Sequence, residues 1–193
     1  MSSIQASTFD VDFIERTENI INYCCSQKDF SNDFTLLINC LLGLLILPKE
    51  YYEKKNLFNS YNFNIKTNKL SQEIIDIFSN DKAPEHIQDI ISSPKKCIIY
   101  NKKGEEKDNM KCSFITILRH LRNAVSHCNI TPVKSNDKDE WEGIILRDID
   151  YDSDKMTMEI YLTENEIKYL VNFIIDQYKQ ARKYKKHEGY YGY

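Results

Sequence analysis

Apolar residues recur at helical spacing through "DVDFIERTENIINYCC", where Phe13, Ile14, Ile20, Ile21 and Cys24 fall near one face. The spacing predicts a first helix, with Asp12 and Glu15 as an approximate N-cap and N3 pair. After the polar break "SQKDFSND" comes "FTLLINCLLGLLIL", Phe34 to Leu47, apolar on nearly every side and closed by Pro48. A helix of that kind has to be covered all round, by the rest of the fold or by a second subunit. Gly43 in its middle lowers helix propensity by about 1 kcal/mol, a penalty tolerated where another backbone approaches closely.

From Lys49 to about Asn68 the chain is polar and rich in Asn, Tyr and Lys, which predicts an irregular excursion. "LSQEIIDIF" then places Leu70, Ile74, Ile77 and Phe78 on one helical face, and "PEHIQDII" offers Pro84 at a helix start ahead of Ile87, Ile90 and Ile91. "KCIIYNKKGEEKDNMK" reads as a surface loop. Ser113 can cap a helix over "FITILRHLRNAVSH", with Pro132 beyond its end. "WEGIILRDID" and "KMTMEIYL" are β-leaning runs joined by "YDSD", a hairpin pattern. Thr163 and Glu166 form a capping box before the long amphipathic helix "IKYLVNFIIDQYKQARKYKK". These patterns predict a mainly α chain with a small β-hairpin before the C-terminal helix. One domain is expected over 1–185, with a flexible tail over 186–193 that ends in the Tyr-rich "HEGYYGY".

Composition narrows the partners. With 193 residues, 41% hydrophobic and 28% charged, the chain has the make-up of a soluble globular protein. Its formal charge of −3 excludes a global basic field, so any nucleic-acid contact has to come from a local patch. Six cysteines show no metal-type pairing beyond the adjacent Cys24 and Cys25, and no secretory signal pattern is visible. Reduced thiols and a cytoplasmic location are expected. The apolar run to Leu47 falls short of the roughly 20 residues of a membrane span, so no membrane association is expected.

The concentrated chemistry lies in "RHLRNAVSHCN", residues 119 to 129, which holds two of the five arginines and two of the four histidines. Projection at about 100° per residue puts Phe114, Ile117, Leu118, Leu121, Val125 and Cys128 in an apolar sector. The opposite arc carries, in angular order, Arg122, Ser126, Arg119, Asn123, His127 and His120. Arg122 lies roughly 140° around from His127, so one helix alone does not bring the two tightly together. A second copy of the helix, crossing the first, could. These groups suit phosphodiester cleavage: an imidazole can take a proton from a ribose hydroxyl or return one to a leaving oxygen. Arginine's planar fork matches a phosphate and stabilises the charge of the transition state. The projection alone, however, is explained more simply by a solvent-facing polar arc.

"RNAVSH", Arg122 to His127, resembles the signature of the HEPN superfamily (higher eukaryotes and prokaryotes nucleotide-binding), an Arg and a His separated by four to six residues of which the first is polar. "ILRHLRNAVSHCNI" and the upstream "LLINCLLGLLILPKE" together are similar to a bacterial and plasmid-borne HEPN family, in which the later hairpin and C-terminal helix also occur. The resemblance implies an HEPN-like helical bundle that forms a homodimer, with two motif copies facing across a cleft. It further implies a metal-independent ribonuclease of toxin–antitoxin or phage-defence type, cutting RNA through 2′-hydroxyl attack, without a cofactor. Carried onto this chain, Arg122 stabilises the scissile phosphate, His127 acts in acid/base transfer, and Asn123 is the polar residue after the Arg. Arg119, His120 and Ser126 are added from the projection as RNA-binding residues, and Arg182 and Lys183 from the basic end of the last helix. That basic end also fits simple compensation of the helix dipole. HEPN toxins paired with a nucleotidyltransferase antitoxin often carry a Tyr two residues after the motif His; here Asn129 stands there, so the resemblance does not extend to that control. An antitoxin or regulatory protein of another kind stays open as a partner. No metal cluster is expected: His120 and His127 have no Asp or Glu beside them in the sequence. Two further readings are a non-catalytic helical module that grips RNA, a nucleotide or a partner protein, and a purely structural dimer.

Overall fold

The computed structural model describes residues 9–26, 33–54, 72–79, 81–101, 103–109, 112–135 and 141–187. Its elements are α1 (Phe9–Cys25), α2 (Asp33–Lys54), α3 (Gln72–Ile77), β1 (Cys97–Ile99), α4 (Phe114–Ser126), β2 (Ile130–Lys134), β3 (Trp141–Asp150), β4 (Lys155–Thr163) and α5 (Glu164–His187). They fall into two compact units, residues 1–62 with 170–193 and residues 63–169, so that α5 begins in the second and continues in the first.

In the first unit α1 packs against α2. Ile14 and Ile21 of α1 are buried, as are Leu37, Leu41, Leu44 and Leu45 of α2 and Ile174, Ile175 and Tyr178 of α5. The close approach expected at Gly43 is made by a side chain: a Cβ there would stand 2.9 Å from the ring tip of Phe13. Helix α1 starts at Phe9, which leaves Asp12 inside the helix rather than at its cap. Nor does Pro48 close α2, which continues to Lys54. Proline removes one helical amide donor, to the carbonyl four residues back. That carbonyl, of Leu44, accepts instead from the Tyr178 hydroxyl at 3.0 Å. Among the described residues no helix is long and apolar enough to cross a membrane.

The second unit corrects the expected fold class. It holds a four-stranded antiparallel sheet in the order β1-β4-β3-β2, so the protein is mixed α/β rather than a mainly helical bundle with a hairpin. The predicted β3–β4 hairpin forms its centre, turning through Tyr151–Asp154. The missed strands are short. "CII" at the start of the expected loop is β1, buried throughout and paired with β4. The polar stretch after α4 is β2, an edge strand on which Pro132 is tolerated because only one side is paired. Three to five residues carry too little periodicity to be told from a loop; pairing to a long hairpin makes them strands. The predicted helix after Pro84 is a single 3-10 turn, Glu85–Ile87.

Register places Ile144, Leu146 and Asp148 of β3 opposite Leu162, Ile160 and Met158 of β4, on the sheet face that α4 covers. On the other face Ile145 and Tyr161 join Ala83, Ile87, Ile91 and Val133 in a buried cluster. There Arg147 Nε donates to Glu159 at 2.6 Å and Nη2 donates to the Ile90 carbonyl at 2.7 Å. The predicted capping box opens α5: the Thr163 amide donates to Glu166 Oε2 at 2.9 Å, and the Glu166 amide to Thr163 Oγ1 at 3.4 Å. Of the sequence expectations, residues 27–32 of the polar break, 55–68 of the excursion, Leu70 and 188–193 of the tail lie outside the described residues.

Candidate functional site

Helix α4 starts as predicted, with Ser113 Oγ accepting from the Thr116 amide at 3.2 Å. It stops at a defined point. The Cys128 amide donates to the Val125 carbonyl at 3.0 Å and the Asn129 amide to the Ala124 carbonyl at 2.8 Å. That crossed pair is a Schellman motif, and it turns on Cys128 in the left-handed region at φ 56°. His127 is thereby the C-cap, at the negative end of the helix dipole. Cys128, expected in the apolar sector, is exposed because the helix ends before reaching it.

Beside α4 lies a cleft of about 480 Å³, inside the second unit, to which the helix contributes Arg119, His120, Asn123 and His127. The β3–β4 hairpin supplies Asp148, Thr157 and the turn residue Tyr151, and Tyr100 and Lys107 add an aromatic and a cation from the segment before α4. The His127 imidazole packs on Tyr151, ring centroids 4.5 Å apart and inclined by 52°. Asp150, also at the cleft, is engaged in its own turn, accepting from the Asp152 amide at 3.1 Å and the Ser153 hydroxyl at 3.0 Å.

At the floor His120 and Asp148 form a buried pair. They are 7% and 5% exposed, and Nδ1 of His120 lies 2.7 Å from Oδ2 of Asp148. Register explains how Thr157 joins them. Asp148 pairs with Met158 and Ile149 with Met156, so Thr157 is the extra residue of a β-bulge. Bulges re-aim side chains, and the Thr157 hydroxyl donates to Asp148 Oδ2 at 2.8 Å. Asn123 Nδ2 donates weakly to the same oxygen at 3.4 Å. The Asp148 carboxyl is held below its ordinary range: burial pushes it up, but hydrogen bonds from His120, Thr157 and Asn123, with the charge of a protonated His120, bring it lower still. An ionised carboxylate can only accept, so Nδ1 carries a proton toward it.

The cleft gathers four of the predicted residues and leaves others aside. Arg119, Asn123, His127 and His120 are consecutive in the helical projection, an arc of about 100°. His120 sits at the border of the apolar sector, next to Ala124, and is buried against the sheet rather than presented to solvent. Arg122, at the opposite border of the arc, is half-buried, and Ser126 is exposed; neither lines the cleft. Arg182 and Lys183 fall on the last turns of α5, where side chains lie outside the described part. Asp148, Thr157, Tyr100, Tyr151 and Lys107 were not singled out from sequence. One signal was present for Asp148: strand alternation puts it on the face of Ile144 and Leu146, and a carboxylate on an apolar face needs a buried partner. Among the described residues no group of three or more His, Cys, Asp or Glu stands together as a metal site would need.

An α4 that carries Arg122 and His127 with four residues between them, the His at its very end, has the pattern expected of an HEPN domain, and comparison with known families bears this class out. A family model described as HEPN pEK499 p136 matches residues 1–185. The chain belongs to that HEPN family. No curated protein matches it, and no solved structure does.

Proposed function

We propose that the chain is an endoribonuclease that needs no metal ion. The observation that supports this reading is the convergence of His127, Asn123, His120 and Arg119 on one cleft beside the end of α4. Two imidazoles can move protons at neutral pH, and a guanidinium and a lysine can hold a phosphate between them. The reaction is transfer within the RNA: the 2′-oxygen bonds to phosphorus, the bond to the 5′-oxygen breaks, and a 2′,3′-cyclic phosphate and a 5′-hydroxyl result. His127 serves in acid/base transfer, Asn123 orients it or a phosphate oxygen, and Tyr151 and Tyr100 offer rings on which an unpaired base stacks.

In this reading the working form is a homodimer, which gives Arg122 its place: standing outside the cleft of its own protomer, it acts on the phosphate across the interface. Such a nuclease, held inert by an antitoxin or regulatory protein and released in the cytoplasm on phage infection, suits a toxin or phage-defence role.

The test is cleavage of labelled RNA in EDTA by the purified protein beside His127→Ala, with product ends mapped. Cleavage by the parent alone, leaving 2′,3′-cyclic phosphate, is the expected result. A 3′-hydroxyl product or an absolute magnesium requirement would overturn the reading. RNA binding without cleavage would assign the cleft to a non-catalytic binding module.

A further inference from the structure

The HEPN motif supplies one histidine, His127, yet the cleft holds two, and the second is the one the fold takes most trouble to position. His120 is buried, its Nδ1 2.7 Å from Asp148 Oδ2. The carboxylate is itself fixed by Thr157 from a bulge in β4. With Nδ1 protonated toward Asp148, the lone pair of the neutral ring is on Nε2, the nitrogen left for a ligand. His120 is also one of the residues that form the wall of the cleft. A carboxylate that sets the tautomer and orientation of an imidazole, and compensates the charge formed when the ring takes a proton, is the arrangement a general base requires.

We propose that His120 is the general base of this site, that Asp148 is its positioning residue, and that His127 of the same protomer is the general acid. The two histidines are seven residues apart, nearly two helical turns, so they lie almost in line along α4 and about 10 Å apart at the backbone. A scissile phosphate lying along the cleft can then present its 2′-hydroxyl to one and its 5′-oxygen to the other. Nε2 of His120 takes the 2′-hydroxyl proton as the 2′-oxygen bonds to phosphorus. The phosphorus–5′-oxygen bond breaks, and that oxygen takes a proton from His127. His127, at the C-cap of α4, stands at the far end of the pair from His120, where the 5′-oxygen leaves. Arg119 and Lys107, lining the same cleft, face the phosphate charge. This assignment rests on the ribonuclease reading above, and it adds that proton transfer is completed within one protomer, with Arg122 as the group contributed across the dimer.

The experiment separates base from acid by chemistry. RNA with sulfur in place of the 5′-bridging oxygen has a leaving group that departs as a thiolate without a proton, so its cleavage needs a base and no acid. Ordinary and sulfur-bridged oligonucleotides are cut in EDTA by the parent, His127→Ala, His120→Asn and Asp148→Asn. The His120→Asn change keeps an amide donor near the position of Nδ1, so that Asp148 is not stranded, and circular dichroism and thermal unfolding check each variant. On ordinary RNA, both histidine variants should lose about 10²- to 10⁴-fold. His127→Ala should recover to near the parental rate on the sulfur-bridged substrate, and His120→Asn should stay slow. Asp148→Asn should lower kcat by about 10- to 100-fold on both substrates with KM unchanged. If the parent cleaves while folded His120→Asn stays within about threefold of it, or is the variant rescued by sulfur, the assignment fails and the ribonuclease reading stands. A parent that cuts neither substrate overturns both.

Discussion

The Tyr178 hydroxyl donates to the carbonyl of Leu44 at 3.0 Å, and Leu44 is the residue whose helical partner, four residues on, is Pro48. Both Leu44 and Tyr178 are fully buried. A proline inside a helix is ordinarily destabilising by about 3 kcal/mol, partly through the carbonyl it leaves without a donor. Here a side chain from α5 supplies that donor, so α2 can run through Pro48 to Lys54. Tyr178→Phe removes the hydroxyl and nothing else, and should destabilise the protein by about 1–3 kcal/mol, as expected for a buried acceptor left unsatisfied. Urea unfolding will measure it. The partner test is Pro48→Ala, which restores a backbone donor to Leu44: in that background, Tyr178→Phe should be nearly without effect.

The Schellman turn at the end of α4 predicts a stabilising change. Cys128 occupies the left-handed region at φ 56°, where a side chain is disfavoured by roughly 1–2 kcal/mol, part of which glycine's greater freedom in the unfolded chain cancels. Cys128→Gly should therefore raise stability by about 1 kcal/mol and the midpoint of thermal unfolding by a few degrees. It leaves His127 at the C-cap. A fall in stability would mean that the exposed thiol contributes more than its backbone conformation takes away.

Sequence pattern located the elements with long signals and missed those made by pairing. The capping box at Thr163, the cap at Ser113 and the hairpin were legible because each is specified by residues within a few positions of one another. β1 and β2 were not, since three buried residues and a five-residue edge containing Pro132 become strands only beside β4 and β3. Helical projection similarly found the arc of α4 that lines the cleft, while treating His120 as part of the solvated face. What decides its burial is Asp148, 28 residues away on a strand whose register includes a bulge at Thr157. No local pattern encodes that meeting.

Packing at Gly143 makes a prediction about β3. A Cβ at this buried position would stand 2.3 Å from the backbone carbonyl oxygen of Leu162 and 2.9 Å from the Tyr161 ring. The first contact is with backbone of the paired strand and cannot be relieved by a rotamer change. Gly143→Ala should cost about 1–3 kcal/mol or more through overpacking, read as a lower urea midpoint. An unchanged midpoint would show that the two strands separate locally at little cost.

Asp148 also makes acid stability a readout of the floor of the cleft. Its folded carboxyl lies below the ordinary range because, against the upward push of burial, the hydrogen bonds from His120, Thr157 and Asn123 and the charge of a protonated His120 prevail. A carboxyl lowered in this way stabilises the fold above its unfolded value, about 3.9, and the contribution disappears as pH falls through the folded value. Parent and Asp148→Asn should therefore differ most near neutrality and converge in strong acid. Urea midpoints between about pH 7 and pH 2 will show whether the gap closes. A constant gap would mean that the native pair does not depend on the ionised carboxylate.

Arg119 offers a separation of binding from chemistry that rests on the ribonuclease reading. Its side chain is exposed at the cleft, on the arc that carries Asn123 and His127, whereas Arg122 stands at the arc's far border and outside the cleft. An exposed guanidinium there meets the RNA backbone in the bound state as much as in the transition state, and such uniform binding appears in KM alone. Arg119→Ala should raise KM by about 10-fold with kcat little changed, and should make the slope of log affinity against log salt shallower by about one. Arg119→Lys keeps the point charge and loses the fork, so it should recover the salt slope and only part of the affinity. Initial rates over a range of salt for the parent and both variants decide the matter. A loss in kcat as large as that in kcat/KM would instead place Arg119 on the charge that develops at the phosphorus, and the positively charged group acting there would then come from the same protomer as the histidines.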